Sequence, residues 1–399
     1  MSTTLEAAPK SGRVTAGPGR FWDLEGIRGL CAVLIVVFHA FQYCDAGGRY
    51  DLQGTPLYPF IYNMVGVVGV FFALSAFVLW RPMVEQVMNG LPAVRPADWV
   101  SRRAVRILPV YLAAITIVWA SRNPVFPGDW RDLVEHLTFT EVFDNKRIFY
   151  TDGPAWSVAD EVMFYTFLGL VGWVLVRQAV HRADPAWRWF ILSIPTVLWL
   201  LVLPVIACWT ITFHNVPVSQ SAPYFGPLMW SSSFGAGMLL AMAHVAYTRR
   251  WGSKPMPRWA VAGLRLAAVS CYLAAAGVPA DTPSRLTIFR VACGLSSAAL
   301  LASSIWSGQR SWWRQVFQAR PLLFAATVSY SLYLWHEPVL LLMQGHHLLS
   351  KQPGAFPFVA VALLVASMPV AYLSYRGIER PASFIRFLLK PRPQIVGDT

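Results

Sequence analysis

Runs of about 20 apolar residues recur from residue 25 to residue 375. As a helix, such a run spans ~30 Å of hydrocarbon. In lipid every backbone N–H and C=O must be satisfied internally, and helices do this within one segment. The chain therefore reads as an all-α, polytopic membrane bundle of about ten transmembrane helices, predicted over 25–44, 58–80, 105–121, 154–176, 189–211, 225–247, 260–279, 287–307, 322–345 and 355–375. The spaces between them are short except 81–104 and 122–153. Of the 399 residues 56% are hydrophobic and 13% charged, which leaves little chain for a soluble domain. The first 20 residues are polar, and no small-residue cleavage site follows the first apolar run. That run is expected to be a retained helix and not a signal peptide.

The net charge of +13 is explained by topology without a nucleic-acid partner. With the N-terminus inside, the expected cytoplasmic segments hold 24 Lys and Arg and the outer ones 7. That bias places both termini in the cytoplasm of a multi-pass protein of the cell membrane. Segment 1–24 is then a cytoplasmic N-terminal segment, 25–383 the transmembrane domain, and the Pro-containing 384–399 a cytoplasmic tail. The five cysteines are scattered, with no CxxC or His/Cys cluster, so no metal site is expected.

Against this apolar background, ionisable residues inside the spans carry the information, because each costs about 2.5–3.5 kcal/mol to insert. "LEGIRGLCAVLIVVFHAF" holds Arg28 and His39. Eleven residues is close to three helical turns, so both lie on one face, ~16 Å apart along the axis. A ligand touching both is long and thin, anionic at the cytoplasmic end and reactive at the other, which is the shape of a coenzyme A thioester. "PAWSVADEVMFY" (154–165) carries Asp160 and Glu161 into the fourth span. Glu161 and Tyr165 share a face, and a buried carboxylate there needs a partner. His39 lies at similar expected depth, and a His–carboxylate pair suits a general base for a hydroxyl.

Two further stretches add to the pattern. In "SYSLYLWHEPV" (329–339), Ser329, Tyr333 and His336 fall on one stripe, and Pro338 is expected to kink the span. In "SRRAVRILPVY" (101–111), Arg102, Arg103 and Arg106 cluster at the cytoplasmic start of the third span, with Arg102 and Arg106 on one face. Guanidinium forks suit phosphates, although anchoring to lipid headgroups also accounts for them.

Taken together, these motifs resemble the acyltransferase 3 family of integral membrane O-acyltransferases. "GIRGLCAVLIVVFHAF" is similar to its Arg-x10-His motif, and "FFALSAFVLW" to its second-helix motif, with Ala76 where glycine is usual. "RRAVRILPVY" resembles its basic third-helix start, and "WSVADEVMFY" its WSL-x-x-E-x-x-FY motif, with Val158 for leucine and Asp160 at a usually apolar position. "SYSLYLWHEPV" and "YRGIERPAS" resemble its C-terminal motifs. The resemblance runs from about residue 20 to 383. It implies transfer of an acyl group from acyl-CoA (acetyl-CoA or a short-chain acyl-CoA) to a hydroxyl, usually on a sugar. His39 is then the catalytic histidine, Arg28 its motif partner, Glu161 the motif glutamate, and Arg28, Arg102, Arg103 and Arg106 the acyl-CoA contacts. Tyr165, Ser329, Tyr333 and His336 are the substrate-pocket candidates. Chain size resembles stand-alone members that tailor macrolide antibiotics, so the expected acceptor is a hydroxyl-bearing glycoside or macrolide. A cell-envelope glycan is the alternative.

A proton-coupled transporter using His39, Glu161 and His336 is a reading of a different class. It lacks an inverted repeat or paired broken helices in the sequence. Partners expected besides the substrates are membrane lipid, with a homo-oligomer left open. No G-x-S-x-G elbow is present, so a serine-hydrolase mechanism has no local signature.

Overall fold

The computed structural model describes residues 22–45, 58–91, 96–217, 220–277, 282–308, 311–350, 352–382 and Phe384. Apart from Phe384, the expected tail lies outside these residues, as do residues 1–21 of the N-terminal segment. Helices and no strands are found among the described residues. Ten long helices follow the expected spans: α1 (Trp22–Asp45), α2 (Tyr58–Met88), α3 (Pro96–Arg122), α4 (Ala155–Val180), α5 (Pro185–Phe213), α6 (Ser221–Trp251), α7 (Arg258–Ala276), α8 (Pro283–Ile305), α9 (Arg320–Gly345) and α10 (Phe356–Ala382). Nine are long and apolar enough to cross a membrane. The other, α9, has 26 residues and hence ample length, but its polar stripe lowers its hydropathy. Helical conformation continues through Pro338 on both sides.

Several helices outrun the expected spans, because apolar windows end where the membrane does and helices need not. The last turns of α2 bury Val84, Val87 and Met88. Its terminal carbonyls find cationic donors: Arg188 Nη1 bonds Val87 O at 3.1 Å and Arg249 Nη1 bonds Met88 O at 3.3 Å. α3 starts early on Pro96, a residue suited to the first helical position.

The bundle packs as two groups, α1 with α9 and α10, and α2 with α6 and α8. Lipid is as apolar as a leucine side chain, so helices associate through close van der Waals fit at small residues. On α1, the carbonyls of Phe317 and Leu322 stand where Gly26 and Gly29 would carry a Cβ, and Ala326 N lies 2.8 Å from that position at Gly29. Gly237 of α6 meets the backbone of Ala73 on α2 in the same way. Stacked rings join three helices, with Phe234 at 4.4 Å from Phe72 and 4.3 Å from Phe164.

α2 tightens to a 3₁₀ turn over Asn63–Val67. There Asn63 Nδ2 donates to Ala276 O (3.0 Å) and the Tyr272 hydroxyl donates to Asn63 O (3.1 Å), which ties the turn to α7. Between α3 and α4 the outer connection carries a short helix, Trp130–Leu137, capped by the Asp129 side chain. Under it Asp132, His136, Glu141, Thr151 and Asp152 are all fully buried. Thr151 Oγ1 donates to the Asp132 carboxylate, His136 Nδ1 donates to Asp132 O (2.9 Å), and the Tyr111 hydroxyl donates to His136 O (2.9 Å).

This connection is pH-sensitive. Burial pushes the Glu141 carboxyl up to about 7, with His136 opposing. Burial alone would lower the His136 value, but its hydrogen bond to Asp132 and the Glu141 charge raise it above the ordinary range. Both groups therefore hold protons more tightly folded than unfolded. Their contribution to stability is complete at acidic pH and is lost as pH rises through the folded values.

Two predictions follow from this packing. Gly29→Val forces a branched side chain onto the α9 backbone, and overpacking costs ~1–3 kcal/mol. It is expected to lower Tm in detergent, whereas Gly263→Val, at a position with nothing within 4 Å, leaves Tm in place. For the outer connection, Tm is expected to fall between pH 5 and pH 8, with a shallower fall in Glu141→Gln. An equal fall in both proteins would remove Glu141 as its source.

Candidate active site

The shared face of Arg28 and His39 opens onto two cavities, one per residue. The inner chamber, of about 280 Å³, lies at the end that the charge bias assigns to the cytoplasm. It is lined by Glu25, Arg28, Ser75, Arg103, Arg106, Glu161, Tyr165, Ser329 and Tyr330 among others. The outer chamber, also about 280 Å³, is lined by His39, Gln42, Asn63, Trp156, Phe225, Phe289, Arg290 and Glu337 among others. Val68 and Tyr333 line both, so together they form the wall between them. The Tyr333 hydroxyl is held there by Ser157 Oγ, which donates to it at 2.7 Å.

In the inner chamber Arg28 pairs with Glu25 (2.8 Å) one turn away and donates from Nη2 to Ala326 O (2.6 Å). Arg103 and Arg106 project in from α3, Arg103 standing 5.9 Å from the centre of the Tyr165 ring. Arg102 does not line the chamber. Spacing gave its phase relative to Arg106 and not the direction of the pocket, which faces the side of α3 between Arg103 and Arg106.

Glu161 also departs from expectation. Its carboxylate accepts from Ser75 Oγ (2.6 Å) and from the Tyr165 hydroxyl (3.0 Å), and it lines the chamber opposite to that of His39. The reason is axial. Ser157 reaches Tyr333 at the dividing wall, and Glu161 lies four residues, ~6 Å, further along α4 toward the cytoplasm. Asp160 is fully buried, lines neither chamber, and has no hydrogen-bond partner on either oxygen.

The partner of His39 is His336. His39 Nδ1 and His336 Nε2 are 2.6 Å apart, with the rings stacked at 4.8 Å. His336 is itself fully buried and lines neither chamber, so it stands behind His39 and is not part of the pocket surface. Its other nitrogen, Nδ1, lies 3.1 Å from Leu332 O. A carbonyl only accepts, so His336 Nδ1 carries the proton. In the neutral ring Nε2 is then an acceptor. His39 must donate from Nδ1, which leaves its Nε2 as the lone-pair nitrogen on a side chain that lines the outer chamber. This hydrogen-bond chain assigns one tautomer to the histidine best placed to take a proton. Ser329 and Tyr333 lie in the chamber walls, as their stripe on α9 implied, and Tyr165 lines the inner one.

Two charged residues of the outer chamber, Arg290 and Glu337, have no expected role from sequence. Their signal was present, since both are ionisable residues within predicted spans. Asn63 and Gln42 carried no such signal.

The geometry is thus two chambers that meet at Val68 and Tyr333. Residues 21–376 match the acyltransferase 3 family, described as an acyltransferase domain. The chain belongs to this family. It is similar to the O-acetyltransferase OatA of Staphylococcus aureus (strain NCTC 8325 / PS 47), 21% identical over 90% of this chain and 56% of that protein. It is also similar to the peptidoglycan O-acetyltransferase OatA of Listeria monocytogenes, 24% identical over 90% of this chain and 55% of that protein. The chain thus spans little more than half the length of these relatives. No solved structure matches it.

For a membrane acyltransferase the histidine pair makes a specific prediction. His39→Ala is expected to lower the initial rate of acyl transfer by about 10²–10⁴, the usual worth of a general base. His336→Ala loses a large part of that, and the double variant is little worse than His39→Ala alone. His336→Gln, whose side-chain oxygen can still accept from His39 Nδ1, regains activity over His336→Ala. Additive losses, or no rescue by glutamine, would show that the two rings act separately.

Proposed function

We propose that this protein is a membrane O-acyltransferase that moves an acetyl or short acyl group from acyl-CoA to a hydroxyl of a cell-envelope glycan. The observation that carries this reading is the pair of chambers meeting at Val68 and Tyr333, with Arg28, Arg103 and Arg106 on one side and His39 on the other. The relatives favour an envelope glycan over the macrolide that chain size suggested, since the Listeria protein is named for peptidoglycan.

In this reading Arg28, Arg103 and Arg106 attract the phosphates of the donor at the cytoplasmic end. A chamber of about 280 Å³ takes the narrow pantetheine arm and leaves the nucleotide at its mouth. The arm brings the thioester carbonyl to the wall at Tyr333. His39 Nε2 takes the proton of the acceptor hydroxyl as its oxygen bonds the carbonyl carbon. The carbon–sulfur bond then breaks, and the sulfur leaves as a thiol with the proton that His39 held. His336 holds His39 in the tautomer this requires and shares the positive charge that develops on it. Glu161, bonded to Ser75 and Tyr165 in the inner chamber, shapes the donor side.

The experiment uses sealed proteoliposomes with acetyl-CoA supplied on the cytoplasmic face alone and an envelope oligosaccharide on the other. Ester is expected on the oligosaccharide, and none with His39→Ala. Ester formed only when both substrates share one face would overturn the two-sided reading. On the donor side, Arg106→Ala is expected to raise KM for acetyl-CoA about tenfold, with a smaller effect for acetyl-pantetheine, which lacks the nucleotide phosphates. Arg102→Ala, outside the chamber, changes KM little. Equal effects of Arg106→Ala on both donors would reduce Arg106 to a membrane anchor.

A further inference from the structure

Arg290 of α8 is an unusual residue to find inside a bundle. It is 2% exposed, and Nε and Nη1 of its guanidinium have no hydrogen-bond partner. The group lies 3.7 Å from the centre of the Trp230 ring, with Phe225 at 5.5 Å and Phe289 at 5.6 Å. Cation–π contact fixes its position but satisfies neither N–H. Among the described residues no carboxylate lies within ion-pairing distance of it. Asp160 is buried near it but lines no chamber, and Glu337 is set beside Gly153. A buried charge left without a hydrogen-bonding partner is costly, and this one lines the outer chamber.

We propose that Arg290 is an anion-reading subsite of the outer chamber, and that the acceptor presents a carboxylate or phosphate to it. The inference rests on the reading of that chamber as the acceptor site. The donor is a poor alternative occupant, because its thioester reaches the outer side through the wall of Val68 and Tyr333, and Arg290 is not part of that wall. A guanidinium matches a planar carboxylate or a phosphate face, and this one keeps N–H donors without a partner. Around it the walls are aromatic, from Trp156, Phe225 and Phe289, and polar at Asn63. That combination suits the faces and hydroxyls of a sugar. The class of occupant is therefore an anionic saccharide.

The test compares three probes of one size with the full-length protein in detergent: a uronate disaccharide, its carboxamide, and the carboxamide carrying a phosphate. Binding is read from quenching of tryptophan fluorescence, which does not depend on turnover, and acetyl transfer is read in parallel. Wild type is expected to bind at least one anionic probe about tenfold or more tightly than the neutral carboxamide, in line with the strength of a charge-assisted pair. Which probe gains identifies carboxylate or phosphate as the group read. Arg290→Gln abolishes that preference, and Arg290→Lys keeps part of it. Equal binding of charged and neutral probes by wild type overturns the proposal, and this comparison needs no variant to fold. A preference that survives in Arg290→Gln overturns it as well. If anionic probes bind through Arg290 but none gains an acetyl group, the subsite stands and the proposed acceptor chemistry fails.

Discussion

The contact of the α1 and α9 backbones sets the position of the paired histidines. Both helices are read as running from the cytoplasm outward. They touch where Gly29 meets Leu322 and Ala326. His39 lies ten residues beyond Gly29, and His336 ten beyond Ala326. On two parallel helices those steps are the same rise, ~15 Å, so a fit made by glycine near one face of the membrane brings two imidazoles level near the other. A slip of one residue between the helices would displace one ring by ~1.5 Å and turn it by ~100°. The 2.6 Å bond between the rings has no tolerance for that. Small residues at the cytoplasmic end thus hold the two imidazoles in register at the far end, and Arg28, bonded to Ala326 O, belongs to the same contact.

The same reasoning explains what was legible in the sequence. Helix existence and the relative phase of residues on one helix come from spacing alone, so the ten spans, the common face of Arg28 and His39, and the wall positions of Ser329 and Tyr333 were accessible. Which residues of different helices stand at one depth depends on how far each helix slides against the next, and spacing within a helix holds no information on that. Glu161 and His39 read as level because both lie in the outer halves of their predicted spans, yet about one turn of α4 separates Glu161 from the wall. Arg102, expected in the site together with Arg103 and Arg106, lies outside the chamber for a related reason, since phase along α3 is fixed only up to the rotation of the whole helix. Arg290 was visible as an intramembrane charge, but nothing local to its sequence indicates that a Trp230 ring lies beneath it.

The electrostatic character of the two chambers follows from which carboxylates reach them. Glu161 in the inner chamber accepts hydrogen bonds from two hydroxyls, while Arg28, Arg103 and Arg106 supply the positive side chains of that wall. In the outer chamber, Glu337 and Arg290 face one cavity without an ion pair between them among the described residues. Nearby, burial and the Glu337 carboxylate push the Asp152 carboxyl well above the usual range, with Arg122 opposing. Asp152 therefore adds little negative charge at neutral pH, and Arg290 and Glu337 are the charged side chains of the chamber lining.

The wall between the chambers is as informative as their linings. It is one side chain thick, made by Val68 and Tyr333. The proposed donor is an acyl thioester, which is open to hydrolysis, so a path for water from the outer face would waste it whenever no acceptor is bound. Valine offers water no hydrogen bond, and the tyrosine oxygen accepts one from Ser157. A single hydrogen bond nets about 1 kcal/mol, which is small against the binding energy of either substrate. The ring is therefore held in place without being locked. In the proposed reaction a thioester from the cytoplasmic side and a hydroxyl aligned on His39 from the other meet at this wall.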